Sequence, residues 1–368
     1  MKVLQILPAL ESGGVERGTL EIAEALVRQG HDSWVASAGG GLVAELESAG
    51  SHHAQWRLGD KTPATLLKIH PFQSWLRAQR FDIVHVRSRL PAWIGLFAMQ
   101  CLPRKERPHL ITTVHGLNSI SRYSKVLTKG ERVIAVSEAS RRYILEHYPD
   151  TSPEKLRVIL RGIDPDYWRR NYQPSEAWLD RWYQAFPELQ GRFVVTLPGR
   201  LTRLKGHEDF LALLENLKAD MPDITGLIVG GAAPGKERYE QELRALCRQK
   251  NLEDTVVFTG PRQDIRDIYA ISDVVLSLSR KPESFGRTAL EPLSMGIPVV
   301  GYRQGGVGEI LDALFPEGGI PPEQIQEAAR VVRAIRSGQH QPVKPNRQFL
   351  LQTMQEQTLA LYREVLKS

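Results

Sequence analysis

The chain predicts an α/β protein built from two Rossmann-like halves, each a parallel sheet wound with helices. Three observations carry this. Short apolar runs at residues 2–7, 193–197 and 274–278 belong to a series that recurs along the chain, and most lead into a Gly-containing loop and an amphipathic helix. That alternation marks βαβ units, whose strands are buried on both faces. The 368 residues exceed one typical domain, and a hydrophobic fraction of 42% with seven Trp supports two sizeable cores. The pattern also restarts near residue 193, after an aromatic, polar stretch over 165–191 that reads as a connector with a short helix.

The first half opens with a strand at 2–7, which is too short and too soon broken by Pro8 to be a signal peptide. A loop at 11–18 carries Gly13 and Gly14, which let backbone approach a ligand closely. A helix at 19–29 stops at Gly30, and a strand follows at 33–37. No Gly-x-Gly-x-x-Gly is present and no acidic residue ends that second strand, so a nicotinamide cofactor is disfavoured. Further strands are expected at 82–86, 110–114, 132–137 and 156–160. Their ends carry Arg87 and Arg89, then His115-Gly116, and finally Arg161-Gly162-Ile163-Asp164. His115 takes a loop position facing the expected crevice, where it fits a ligand contact or a structural histidine equally well. Arg87 and Arg89 line the same edge, where they fit an anionic acceptor or simple surface charge.

In the second half, the strand at 193–197 leads into a loop with Arg200 and Lys205, two cations bracketing a turn. Such a pair suits clamping a diphosphate from two sides. Strands at 226–229 and 256–258 follow, the latter leading to Thr259-Gly260-Pro261-Arg262. The strand at 274–278 then delivers Pro282-Glu283-Ser284-Phe285-Gly286-Arg287-Thr288-Ala289-Leu290-Glu291, and Gly296 closes the ensuing helix. A parallel strand's carboxyl end is where open α/β sheets bind ligands. The backbone N–H groups of Gly286, Arg287 and Thr288 would head the helix and suit a phosphate. A carboxylate at Glu291 would repel phosphate, so it should hold a neutral diol such as a ribose. Taken alone, the two glutamates also fit a helix cap and a solvated helix residue. Two tail helices are expected at about 322–336 and 347–367, the last with an apolar stripe.

Net charge is +6 and uneven: residues 57–132 hold fourteen Lys or Arg against four Asp or Glu. An anionic partner of the first half is implied, such as a membrane surface or a phosphorylated glycan. Nucleic acid is disfavoured, because the basic stretch lacks interleaved surface aromatics and any recognised module. Cys101 and Cys247 sit in no CxxC, so no disulfide is expected and the compartment should be reducing.

With these motifs in order, the chain resembles the retaining glycosyltransferases of GT-B architecture known as family 4. Ser12-Gly13-Gly14-Val15-Glu16-Arg17 resembles the family's first Gly loop, Thr113-Val114-His115-Gly116 its His loop, and Arg161-Gly162-Ile163-Asp164 the segment closing its first domain. Gly199-Arg200 with Lys205-Gly206 resembles the phosphate-binding pair. Glu283 and Glu291 resemble the two family glutamates, and Gly305-Gly306-Val307-Gly308-Glu309 the Gly-rich stretch beyond them. Ser284 departs from the usual Gly, and Arg161 from the usual Asn.

The resemblance implies two domains facing each other across a cleft. Residues 1–170 with a returning helix at 347–368 would form the acceptor side, 171–191 the connector and 192–346 the donor side. It implies transfer of a sugar from a nucleotide diphosphate, a UDP-sugar being expected, to a hydroxyl of a glycan or glycolipid such as the lipopolysaccharide core. His115 and Glu283 would act on the transferred sugar. Gly13, Gly14, Arg200, Lys205, Arg262, Phe285, Gly286, Arg287, Thr288 and Glu291 would bind the donor, and Arg87 and Arg89 the acceptor. No metal and no resident cofactor are expected. A cytoplasmic enzyme, associated with the inner membrane's cytoplasmic face, follows from the same comparison. A nucleotide-sugar epimerase of this architecture, or a non-catalytic nucleotide-sugar-binding subunit, fits the same residues.

Overall fold

Short and mostly apolar runs become two all-parallel sheets. The computed structural model describes residues 1–11, 13–232 and 235–367. The chain divides into two units, Met1–Gly162 with Phe349–Ser368, and Ile163–Gln348.

In unit 1 the strands are β1 (Lys2–Ile6), β2 (Asp32–Ser37), β3 (His52–Gln55), β4 (Ile83–Val86), β5 (His109–Val114), β6 (Arg132–Ala135) and β7 (Leu156–Val158). They lie in the order 3-2-1-4-5-6-7, with every neighbouring pair parallel. The order reverses between β1 and β4, where Val3 faces both Ser33 and Ile83. Its helices are α1 (Gly14–Arg28), α2 (Val43–Ser48), α3 (Ile69–Gln79), α4 (Arg89–Gln100) and α5 (Glu138–His147). Phe72, Leu76, Ile94, Ala98 and Ile144 pack with Val84 and Val133 in one core. Each such fully buried aliphatic side chain contributes about 2 kcal/mol of hydrophobic stabilisation.

Two expectations change in this unit. α1 starts at Gly14, so Val15 to Gly18 form its first turn rather than a loop. Sequence patterning assigns no element between residues 38 and 81, yet α2, β3 and α3 lie there. β3 reads His-His-Ala-Gln and is an edge strand with no buried residue, so it carries no apolar signal.

Unit 2 opens with α6 (Glu176–Ala185). The stretch expected as a connector is part of this unit's core, a correction to the three-part division. Trp182 is buried with Val194, Leu227, Val229 and Ile268, and stacks on Trp178 with ring centroids 5.0 Å apart. Two tryptophans on one helical face bury more apolar area than a linker exposes. The strands β8 (Phe193–Pro198), β9 (Ile224–Val229), β10 (Val256–Gly260), β11 (Val274–Ser277), β12 (Val299–Tyr302) and β13 (Gly319–Ile320) are ordered 10-9-8-11-12-13, all parallel. The reversal falls between β8 and β11. The helices are α7 (His207–Leu217), α8 (Arg238–Gln249), α9 (Ile265–Ala270), α10 (Arg287–Met295), α11 (Gly305–Leu314) and α12 (Ile325–Arg336).

The last helix, α13 (Leu351–Val365), belongs to unit 1. Its stripe of Met354, Leu359, Leu361, Tyr362 and Val365 packs with Val3, Ile22, Leu26, Ile83 and Ile111. Gln355 donates to the Glu21 carbonyl at 2.8 Å, and Glu364 accepts from Arg132 and Arg157 at 2.9 Å each. Both cysteines are free. Among the described residues no helix is long and apolar enough to cross a membrane.

Candidate active site

The reversal point of the unit 2 sheet brings together two loops, one leaving β8 and one leaving β11. In the first, Gly206 takes a left-handed φ of 74° and caps α7. A Cβ there would stand 2.1 Å from the Leu278 carbonyl oxygen, so only glycine lets the loops approach this closely. The consequence is chemical. Lys205 Nζ reaches Glu283 Oε1 at 2.7 Å. The Ser279 hydroxyl donates to the same oxygen. The Gln304 amide donates to the Ser279 carbonyl at 2.6 Å, and Gly306 N–H to the Glu283 carbonyl at 2.8 Å. Burial by itself would raise the Glu283 pKa. The Lys205 charge and the hydrogen bonds from Lys205 and Ser279 outweigh it and hold the carboxyl below its ordinary value.

A second network fixes the β11 loop from behind. Asp209, in the first turn of α7, accepts from Arg280 at 3.1 and 2.6 Å and from the Tyr302 hydroxyl at 2.7 Å. Arg280 also pairs with Glu208 at 3.1 Å. This fork-to-carboxylate geometry ties the residues just before Glu283 to the helix that follows Lys205.

Beside these loops lies a cavity of about 580 Å³, lined by Gly199, Arg200, Gly230, Arg262, Thr288 and Glu291 among others. Arg200 is exposed, and among the described residues it has no ion-pair partner. Thr288 stands in the first turn of α10, whose cap, Gly286, has a left-handed φ of 111°. A Cβ at Gly286 would sit 2.6 Å from Val307 Cγ2, so the turn needs glycine. Ser284, where the family has glycine, is outside the left-handed region and is accommodated without that strain. Glu291 is buried on the cavity wall, and Arg287 donates to its Oε1 at 2.9 Å. Burial and then the Glu291 carboxylate push the neighbouring Tyr269 phenol well above its usual pKa. Arg262 lines the cavity too, but Asp264 holds its guanidinium at 2.8 and 2.6 Å. Lys205 does not line this cavity, although its Cε lies 3.4 Å from where a Cβ on Gly199, a lining residue, would stand. Phe285 is buried and does not line it. The site thus has an open cation at one wall, a helix head beside it and a buried carboxylate deeper in. That arrangement matches an anionic group joined to a hydroxyl-bearing one.

In unit 1 the expected residues gather at the carboxyl ends of β1, β4 and β5. Gly13 and Gly14 head α1, and Arg161 donates to the Gly14 carbonyl, which ties the exit of β7 to that helix. Ser12 lies outside the described residues. Arg87 is 5% exposed, so it is not a surface cation lining an open edge. Instead its Nη1 donates to His115 Nε2 at 3.3 Å. Arginine only donates, so this neutral His115 carries its proton on Nδ1. Burial, then Arg161, Arg87 and His85, depress the His115 pKa well below the ordinary value. His85 is buried between the Tyr362 hydroxyl at 2.5 Å and Thr113 Oγ1 at 2.6 Å, and burial lowers its pKa strongly too. Arg89 donates to Ser124 Oγ at 3.2 Å and lies 5.3 Å from the Tyr123 ring centroid.

Sequence reading misses Ser279, Gln304, Asp209, Arg280, Tyr302 and His85. Only His85 gives a local hint, as one polar residue inside the apolar run Ile83–Val86. The others act through contacts between elements far apart in the chain.

Two doubly wound parallel units, one with its charged loops at the sheet's reversal point, are the architecture of the GT-B glycosyltransferases. The chain matches Glycosyltransferase Family 4 over residues 12–167 and Glycosyl transferases group 1 over 180–348, and it belongs to that family. It is similar to a solved glycosyltransferase from Rickettsia africae ESF-5, with 29% identity, a TM-score of 0.82 and coverage of 100% of this chain and 99% of that one. The Anabaena protein Alr3699/HepE, solved with UDP-glucose, shares the fold at 22% identity, with a TM-score of 0.82 over 99% of this chain and all of that one. The lipopolysaccharide core biosynthesis mannosyltransferase LpsB of Rhizobium meliloti is 30% identical over 200 residues, 54% of this chain and 53% of its own length. This chain spans little more than half the length of most curated relatives it matches, from 42% to 70%.

Proposed function

We propose that the protein transfers a sugar, with retention of anomeric configuration, from a nucleotide-diphosphate sugar to a hydroxyl of a cell-surface glycan or glycolipid. The observation that carries this reading is the unit 2 cavity, which sets Arg200, the head of α10 and Glu291 around one space, with the Lys205–Glu283 pair on the two adjoining loops. A diphosphate would lie against Arg200, Lys205 and the α10 N-terminus, and a ribose diol would meet Glu291. As the glycosidic bond breaks, charge grows on the diphosphate, and fixed cations stabilise it most there. With those cations in place the reaction needs no metal, so transfer should persist in a chelator. Glu283, held ionised, faces developing positive charge on the sugar. The departing phosphate takes the proton of the incoming hydroxyl.

The donor is proposed as a UDP-sugar, a reading supported by the UDP-glucose complex of the Anabaena fold relative. A lipopolysaccharide-core acceptor is supported by the likeness to LpsB and by the basic first half of the chain. Such an acceptor would place the enzyme in the cytoplasm, against the inner membrane. The test is a thermal-shift screen against UDP-, GDP-, ADP- and dTDP-sugars, with Glu291→Ala and Lys205→Ala alongside. One nucleotide class should raise Tm in the parent protein and much less in both variants. Equal shifts in parent and variants would overturn the site assignment.

A further inference from the structure

We propose a second anion site, a phosphate-binding groove at the amino edge of the unit 1 sheet. It lies at the opposite end of the strands from Arg87 and His115, and it is independent of the transfer reading. A groove of about 490 Å³ runs beside the starts of β4 and β5, lined by Arg77, Arg80, Lys105 and Arg107 with Asp82 and Glu106. Four cations thus face two carboxylates.

The cations are not equivalent. Arg77 pairs with Glu106 at 2.7 Å, which neutralises both. Asp82 accepts the main-chain N–H of Lys2 at 2.6 Å. His109, at the groove's end, is paired with Glu131 at 2.8 Å. Arg107 is fixed without any carboxylate. Its Nε donates to the Leu102 carbonyl at 2.9 Å and its Nη2 to the Gln100 carbonyl at 2.7 Å, at and just past the end of α4. Arg80 and Lys105 have no side-chain partner among the described residues.

Arg80 carries the second observation. It closes α3 with φ 53° and ψ 54°, the left-handed conformation in which helices usually end on glycine. A side chain there meets its own backbone, which is why glycine is favoured. The chain keeps a guanidinium at a position where the backbone would favour none. One guanidinium held by main-chain carbonyls, a second on a left-handed cap and an ammonium with no partner among the described residues, around a polar groove, are the elements of phosphate recognition. The ligand class is a phosphate monoester or diester, borne by a soluble molecule or by a lipid headgroup.

Arg80→Gly is an unusually clean probe, because it removes the charge and relieves the backbone together. The experiment combines it with Lys105→Gln in a Lys205→Ala background, which weakens the unit 2 anion site. Inorganic phosphate is titrated calorimetrically at low ionic strength, and sedimentation is measured with phosphatidylglycerol and with phosphatidylcholine vesicles. The Tm of the combined variant should equal or exceed that of its background. Phosphate affinity or phosphatidylglycerol retention should fall about tenfold, as expected for loss of charge-assisted hydrogen bonds. A fall in phosphate affinity with vesicle retention unchanged identifies a soluble ligand, and a fall in phosphatidylglycerol retention identifies a lipid headgroup. Unchanged phosphate affinity together with unchanged vesicle retention overturns the proposal.

Discussion

The two units treat charge at the carboxyl ends of their strands in opposite ways. Unit 2 stores it as ion pairs: Lys205 with Glu283, Arg287 with Glu291 and Arg262 with Asp264. Unit 1 buries Arg87 with no ion pair among the described residues, against histidines that burial and neighbouring cations keep neutral. A salt-bridged pair can exchange one partner for a ligand of like charge at little cost. A buried guanidinium set against neutral imidazoles is instead part of the packing, and moving it leaves donors unsatisfied. The difference marks unit 2 as the unit whose ion pairs can open to an anionic ligand, as the proposed donor site requires, and unit 1 as the unit whose charge is fixed by packing.

The sharpest way to break this comparison is Glu283→Gln. Freed from its carboxylate, Lys205 should bind nucleotide diphosphate several-fold more tightly, whereas transfer should fall about a thousandfold with the loss of a positioned charge. Weaker diphosphate binding in calorimetry would mean that the pair is structural and not an exchangeable one.

Acid titration comes next. His207, at the start of α7 beside Lys205, is fully buried, and burial lowers its pKa to about 4. His85 and His115 are lowered as well. Unfolded imidazoles titrate near 6.5, so below that pH the unfolded chain binds protons that the folded chain does not. Stability should therefore be full above pH 6.5 and decline as pH falls, the His207 share levelling off below about pH 4 after a loss of roughly 3 kcal/mol. Urea melts from pH 7.5 to 4.5 measure it. In His207→Phe the slope should flatten, and an unchanged slope would remove His207 from the account.

The smallest effect tests the buried polar cluster of unit 1. Tyr362→Phe deletes the hydroxyl that meets His85 Nδ1 while keeping the ring packed in the α13 stripe. The loss should be about 1–2 kcal/mol in urea unfolding, the cost of one buried hydrogen bond. A neutral result would show that the His85 contact adds nothing to the packing that holds α13.

Much of the architecture was legible because α/β units write themselves locally. The runs containing Val194-Val195 and Val274-Val275-Leu276 could only be buried strands, and the glycines at 206, 286 and 296 sit where turns take left-handed backbone. Elements whose burial comes from elsewhere stayed hidden. β3 pairs only at an edge, and α6 looks like a linker until Trp182 meets β8 and β9.

By itself, then, the sequence determined two parallel α/β sheets, the loops that end their strands, and which cations and carboxylates those loops carry. Patterning and turn chemistry act over a few residues, so one chain segment suffices to read them. Only the tertiary structure decided the partners. It set Lys205 on Glu283 across 78 positions, Asp209 on Arg280 across 71, and Tyr362 on His85 across 277. It also turned Arg87 from an expected edge cation into a buried donor to His115. Such pairings depend on strand order and on which groups lose water together, and neither is encoded in any single stretch of the chain.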